Sequence, residues 1–450
     1  MFFDMKRLIF TVIIALSTVL ANAQSDTKTG WTFGVLPSVA YDADLGFQYG
    51  ALTNLYYFGD GSTYPEYLHS IYAEVNRTTK KNGLFRLNLE SRALVPGLLI
   101  SSDISYMPDE MCDFSGFNGH QAVFNTNWAD DSQADYRSRA FYKYRRGLFR
   151  TIVDIQGDIS GNLNWNAGAG VLVFNADHVN IDKLNRGQSD DKKLPDIDLL
   201  FDKYLQWGLI DSCETQTGAF PYIHGGVSYD SRNRTAAPSA GIWADAFITY
   251  TAAFGNMKQF NSLKFNADFR HYIALGTPAA VLAYRLSAQF TLAGQTPFYM
   301  ASQHNVLNMK RAIYESLGGS SSLRGITRNR IVCDGFALAN IELRLRLVKF
   351  DVGSSHFYVA TNPFVDAGMV LQPISVDEQQ VHLAATSTGD NADDYFDFSG
   401  SVYRPHFSGG AGLKVAMNEN FILSVDWATP FNSDDSGKKS NIYVKMGYLF

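Results

Sequence analysis

Residues 340–347 alternate without a fault. Asn340, Glu342, Arg344 and Arg346 fall on one side, and Ile341, Leu343, Leu345 and Leu347 on the other. Ions of both signs at a spacing of two share one face of a strand, where they can pair with ions on neighbouring strands. That is the chemistry of an electrostatic lining, not of bond making. Just upstream, residues 317–326 read Leu-Gly-Gly-Ser-Ser-Ser-Leu-Arg-Gly-Ile, a glycine-flanked loop carrying one arginine, Arg324. Signals for catalysis are absent: the nine histidines are dispersed, and neither Gly-x-Ser-x-Gly nor His-Glu-x-x-His occurs. Cys112, Cys213 and Cys333 are scattered and odd in number; they allow at most one disulfide and have no metal-site spacing. Asp377, Glu378, Asp390, Asp393, Asp394 and Asp397 cluster in one stretch. Their spacing fits no calcium loop and reads as a solvated acidic loop. No enzyme activity, metal or cofactor is expected.

The elements that would hold such a lining repeat along the chain. Leu263, Phe265, Ala267 and Phe269 alternate with Lys264, Asn266, Asp268 and Arg270. Leu282, Tyr284, Leu286, Ala288 and Phe290 alternate with Arg285, Ser287, Gln289 and Thr291, and Phe85, Leu87 and Leu89 with Arg86, Asn88, Glu90 and Arg92. Period two serves a soluble sandwich and a barrel alike; mixed-sign ions on strand after strand favour a lumen. Composition agrees, with 24 Tyr, 32 Phe and 6 Trp beside a mean hydropathy of −0.12. The net charge of −6 argues against a nucleic-acid partner.

Residues 1–23 have the form of a cleaved signal peptide: a basic start, an apolar run from Leu8 to Ala21, and Ala21-Asn22-Ala23 before Gln24. The mature chain is therefore expected to leave the cytoplasm and, read as a barrel, to sit in the cell outer membrane in contact with its lipid. At the other end Ile442, Val444, Met446, Tyr448 and Phe450 make an apolar stripe that finishes on a terminal phenylalanine. It is similar to the carboxy-terminal strand signal of outer-membrane barrels. Short turns near 418–419, 351–355, 276–278, 231–240, 159–162 and 80–82 read as periplasmic. They alternate with connections at 178–219, 297–332 and 372–404 that read as outer loops. The first of these loops holds a candidate helix over 195–207, with Ile197, Leu200, Phe201 and Tyr204 on one face. The tally predicts an all-β fold, a transmembrane antiparallel barrel of about sixteen strands. The segment 24–43 is placed as a short periplasmic lead and 44–450 as the barrel. Two places strain the count: residues 31–41 could form an extra strand, and residues 107–134 are either an inserted plug or a pair of strands.

Four separated pieces resemble, in order, the BamA/TamA-like outer-membrane proteins of the bacterial surface antigen superfamily. They are Asp230 and Arg232 with Pro238 and Gly241 (a periplasmic turn); Gly318, Gly319, Leu323, Arg324 and Gly325 followed by Asn340, Glu342 and Arg344; Phe364-Val365-Asp366-Ala367-Gly368; and Gly410-Ala411-Gly412-Leu413 with Asp426, Pro430 and the terminal strand carrying Met446, Tyr448 and Phe450. In the first half the likeness is limited to strand pattern and Phe114-Ser115-Gly116-Phe117-Asn118-Gly119. The resemblance implies a lid loop, about 296–333, folded into the lumen so that Arg324 meets Glu342 and Asp366. A guanidinium matches two enclosed carboxylates better than an ammonium would. The alternative is that the two acids pair with Arg344 or Arg346 and leave Arg324 in solvent. Ile326 departs from the family, which favours an aromatic there. The stretch before the strands is too short for the POTRA domain that such proteins carry. The expected function is inserting or translocating protein or lipid across the outer membrane, with client outer-membrane or surface proteins and a separate periplasmic subunit as partners. A passive pore or a surface-exposed binding barrel is the alternative.

Overall fold

The structure is a computed structural model that describes residues 27–64, 66–301, 316–353, 355–418, 421–437 and 440–450. The signal-peptide assignment at 1–23 and part of the lid-loop range lie outside those residues. Among the described residues sixteen strands close into one antiparallel barrel, each bonded to its neighbours in sequence and the last to the first. They are β1 Trp31–Asp42, β2 Gly46–Tyr57, β3 His69–Thr78, β4 Gly83–Ser91, β5 Leu98–Asp113, β6 Lys143–Ser160, β7 Leu163–Asp177, β8 Gly218–Asp230, β9 Gly241–Thr251, β10 Ser262–Ala274, β11 Ala280–Gly294, β12 Gly335–Val352, β13 Ser355–Gln372, β14 His406–Met417, β15 Phe421–Pro430 and β16 Asn441–Met446.

Period-two patterning decides which way each side chain points. Arg86, Asp103, Arg150, Asp268, Arg285 and Asp426 face inward and are buried, whereas Ile104, Ile223, Ile248, Leu286, Ile341 and Leu413 on the other face are exposed. A continuous apolar outer belt around a charged interior is the arrangement lipid demands of a strand-built wall. No described helix is long and apolar enough to cross a membrane. The inward ions pair across and along strands: Asp103 takes Arg86 at 2.5 Å and Arg150 at 2.6 Å from the strands on either side, and Asp268 takes Arg270 of its own strand at 2.7 Å and Arg285 of the next at 2.6 Å.

Four expectations need correction. Residues 31–42, placed in the periplasmic lead with 31–41 as a possible extra strand, are the first strand of the wall and pair along their whole length with β2. Their inner face is Thr32, Gly34, Leu36, Ser38 and Ala40, with one acid, Asp42, at the end and no cation, so the mixed-charge signature was missing. The turn at 80–82 lies at the end of the barrel that carries the long connections, because it comes after β3 as the 178–217 connection comes after β7. It joins the 43–45 turn as a short turn at that end. Residues 107–134 are neither a strand pair nor wholly a plug: β5 continues to Asp113, and only residues 114–134 are loop. The helix expected over 195–207 is Leu200–Gln206; Asp202 accepts the Leu199 amide at 2.7 Å to start it, and Ile197 stays exposed outside.

That helix does what its apolar face requires. Phe201, Tyr204 and Trp207 pack with Phe114, Phe117, Phe298, Tyr395 and Phe396 into a buried aromatic cluster across the long-loop end. Phe114 and Phe117 belong to the segment whose likeness was weakest, and they meet Tyr204 edge-on at 5.1 Å each. The acidic stretch is spent on local structure: Asp377 caps the helix Glu378–Ser387, Asp390 binds Lys203 at 2.7 Å, and Asp397 accepts from the amides of Ser399 and Gly400. All three cysteines are buried, and no disulfide joins them.

Candidate functional site: the lid and the barrel seam

Residues 316–334 run back into the lumen between the inner faces of β12, β13 and β16. Their anchor is Arg324, which is fully buried. Its Nη1 donates to Glu342 Oε1 at 2.7 Å, its Nε and Nη2 donate to the two oxygens of Asp366 at 2.9 Å each, and its backbone amide also reaches Asp366, at 3.1 Å. The ring of Phe364 lies 3.4 Å beneath the guanidinium. A planar cation with two carboxylates in its plane and an aromatic face below it has its donors directed as a point-charge ammonium could not. Arg344 also binds Glu342, through Nε to Oε2 at 2.9 Å. Both arginines therefore share Glu342, and Arg346 instead stacks over Tyr358 at 4.7 Å.

The loop's other residues close it around this anchor. Leu323 and Ile326 are buried with Leu317, Ile331, Phe336, Leu338 and Val370, so an aliphatic residue fills the position where the family favours an aromatic. Ser322 Oγ bridges the amide and carbonyl of Gly318, and Asn340 donates to the Ser322 carbonyl at 2.8 Å. Gly325 has φ +90° and presses on β15: a Cβ there would stand 3.0 Å from the Thr429 backbone. Its amide donates to Tyr443 Oη at 3.0 Å and its carbonyl accepts from Asn441 at 2.9 Å, both on β16. Gly325→Ala combines positive-φ strain with a backbone clash. The expected cost is about 1–3 kcal/mol, read as greater protease access to the lid in folded protein. Protection equal to the parent would show that the lid does not depend on this contact.

Two lid arginines escaped the sequence pattern. Arg328 binds Asp109 at 2.7 Å and approaches Asp113 at 3.5 Å, both at the top of β5. Arg330 is fully buried and donates to the carbonyls of Gly119, Ala122 and Asp434 at 2.9, 3.0 and 3.3 Å. They sit in a loop without periodicity, and Arg328 and Asp109 are 219 residues apart. Their only signal was a dense Arg-Asn-Arg run.

Of the other expected site residues, Asp230, Arg232, Pro238 and Gly241 form the β8–β9 turn at the opposite end, where Arg232 pairs with Asp230 at 2.8 Å. They do not approach the lid. The terminal stripe is broken. Met446 is exposed on the outer face, but Gly447 takes φ +82°, and the chain then turns inward. Tyr448 and Phe450 lie 4.2 and 5.0 Å from the Arg344 guanidinium, which donates to the Phe450 carbonyl at 2.7 Å. Phe450 also packs against Tyr272 inside the barrel. This inward turn corrects the expectation of a continuous outer stripe.

It also leaves β16 short. Among the described residues β1 and β16 share two residue pairs, Tyr41↔Val444 and Asp42↔Tyr443, whereas β1 and β2 share twelve. Most of β1 has no partner on its second side, and Pro37, which has no amide hydrogen to offer, sits in that strand.

A barrel of sixteen strands with a buried lid arginine and a short closing seam narrows the family, and the profile of the Omp85 superfamily domain matches residues 113–450. The chain belongs to the Omp85 superfamily. No match was found among curated proteins. Among solved structures, BamA from Haemophilus ducreyi lacking POTRA domains 1–3 superposes with a TM-score of 0.55 at 16% identity, over 93% of this chain and 70% of that one. CdiB from Escherichia coli gives 0.53 at 10% identity, over 94% of this chain and 63% of that one. At these identities the likeness is one of fold. Omp85 barrels are outer-membrane proteins, and the apolar belt of this chain is consistent with that location.

Proposed function

We propose that this Omp85 barrel inserts or translocates proteins, or lipid, across the outer membrane by opening its wall between β1 and β16, without an enzymatic step. The observation that carries the reading is the seam of two residue pairs between β1, which is twelve residues long, and β16, which is six. Each unpaired backbone group on β1 is a bond available to an incoming strand. The lid gives the opposite support: with Arg324, Glu342 and Asp366 buried across the lumen, the barrel keeps its shape while the seam is weak. A standing passive pore fits less well, because the aromatic cluster fills the long-loop end. The proposed partners are outer-membrane or surface proteins as clients and a separate periplasmic subunit that delivers them.

Depleting the protein and quantifying the outer-membrane proteome tests this reading. Loss of many barrel proteins is expected of a general assembly factor, and loss of one or two surface proteins of a dedicated translocator. A proteome unchanged apart from the depleted protein would overturn both and leave the pore or surface-binding barrel.

A further inference from the structure

β12 and β13 run for eighteen residues each, well beyond the about nine to eleven that cross a bilayer. At the short-turn end they leave the wall. β11 begins at Ala280, which pairs with Leu345, and the Arg346 amide still donates to the Ala279 carbonyl at 2.7 Å. There the β10–β11 turn, with Gly276, Thr277 and Pro278, marks the end of the wall. Residues 347–352 continue past it, paired with β13 alone from Val348↔Val359 to Val352↔Ser355. Among the described residues no strand lies along their other edge, which is about 20 Å long.

Both faces of this segment are uncovered. Leu347, Val348, Phe350 and Val352 are exposed, and so are Lys349 and Asp351. Lying past a Gly-Thr-Pro turn, they are beyond the apolar band, which is about 25 Å tall. A register shift between Arg346 and Val348 sets Val348, Phe350 and Val352 on one face, where Phe350 stacks on Phe357 at 5.4 Å. Lys349 and Asp351 take the other face, Asp351 bonded to His356 at 2.6 Å. An exposed apolar edge invites another strand, and proteins that must keep an edge free charge it so that strands are repelled. Here Lys349 is balanced by Asp351 two places on, so a strand of matching charge is admitted.

We infer that residues 347–352 are a docking edge for an extended strand of a periplasmic protein, added antiparallel to β12 below the β10–β11 turn. The inference rests on the separate periplasmic subunit proposed above and gives that subunit a place on the barrel. A row of unpaired backbone groups selects an extended strand over a helix or a lipid chain. Charge selects its sequence: opposite Asp351 the partner needs a base, and two residues later, opposite Lys349, an acid, with apolar residues between and beside them. Residues 347–352 themselves read that way, since antiparallel pairing about Phe350 sets Lys349 against Asp351 twice. A second copy in the same membrane cannot use this match. Two barrels related about the membrane normal carry strands tilted about 35–45°, which descend together and cannot lie antiparallel. Set side by side in parallel they would oppose Lys349 to Lys349. A periplasmic protein has no such restriction.

The test is amide hydrogen exchange in the folded full chain, with the synthetic hexapeptide Leu-Val-Lys-Phe-Asp-Val as probe. In detergent the peptide should slow the edge-facing amides of residues 347–352 at least about tenfold. The joint variant Lys349→Glu with Asp351→Lys, its fold verified by heat-dependent gel mobility, should lose that protection and regain it with a peptide whose Lys and Asp are exchanged. In outer membranes the same amides should be protected before an alkaline carbonate wash that strips peripheral proteins, and should exchange freely after it. No protection of the parent by the peptide, or equal protection of the joint variant by the same peptide, would overturn the edge. Protection that survives the wash would assign the cover to lipid or a second copy and overturn the partner. None of these readouts involves client handling, so failure at the seam and failure at this edge are told apart.

Discussion

Arg324→Ala is expected to lower sharply the temperature at which the barrel loses its compact, fast-migrating form on a gel. The substitution leaves Glu342 and Asp366 with 0% exposure in the lumen; Asp366 loses both of its salt-bridge contacts to Arg324, and Glu342 keeps only Arg344. Removing one partner of a buried ionic group costs about 3–5 kcal/mol, mostly from the charge left behind. The contact with the Phe364 ring is lost as well. Arg324→Lys should recover only part of the loss, because one ammonium cannot reach two carboxylates in the directions that the guanidinium fork covers. Joint replacement of Arg324 by Met and Asp366 by Asn should be milder than the single alanine variant, since Glu342 keeps Arg344 and no buried carboxylate is then left without a cation. A mobility shift unchanged in Arg324→Ala would mean that the lid cluster does not hold the barrel.

The second large effect is expected at the end of the chain. Tyr448→Ala with Phe450→Ala uncovers Arg344, which those two rings flank. Guanidinium–ring contacts contribute about 0.5–2 kcal/mol each once water is excluded, so the double variant should lose about 2 kcal/mol in protein that has already been assembled. The same heat-dependent shift would fall by several degrees. Less protein in the membrane with an unchanged shift would instead assign the two rings to recognition during assembly alone.

The two predictions mark where the sequence was legible. Arg324, Glu342 and Asp366 could be placed because strand periodicity puts Glu342 on the charged face and because four ordered motifs resemble one family. Most of the wall was readable for the same reason: ions of mixed sign every second residue. Where that signature lapses, reading failed. β1 carries a single acid, Asp42, and no cation on its inner face. Tyr448 and Phe450 keep period two on paper, but Gly447 at φ +82° ends the strand between them and Met446. The glycine itself was visible; that it turns the chain inward depends on Arg344 waiting there. The 80–82 turn went to the wrong end because loop length served as the guide, and two of the turns at the long-loop end are short. Arg328 and Arg330 find their partners across a hundred residues or more, which no local pattern encodes.

The most direct test of the account is a disulfide across the seam. Tyr41 and Val444 are direct partners in the β1–β16 register. Cysteines at such a pair fall within bonding range, since antiparallel partners lie about 4.5–5.5 Å apart at Cα. The three native cysteines are buried and should not compete. With Tyr41→Cys and Val444→Cys as the only copy in the cell, oxidation is expected to stop client insertion or secretion, and a reductant to restore it. A fully cross-linked barrel that handles its clients at the unlinked rate would contradict opening of the wall at this seam.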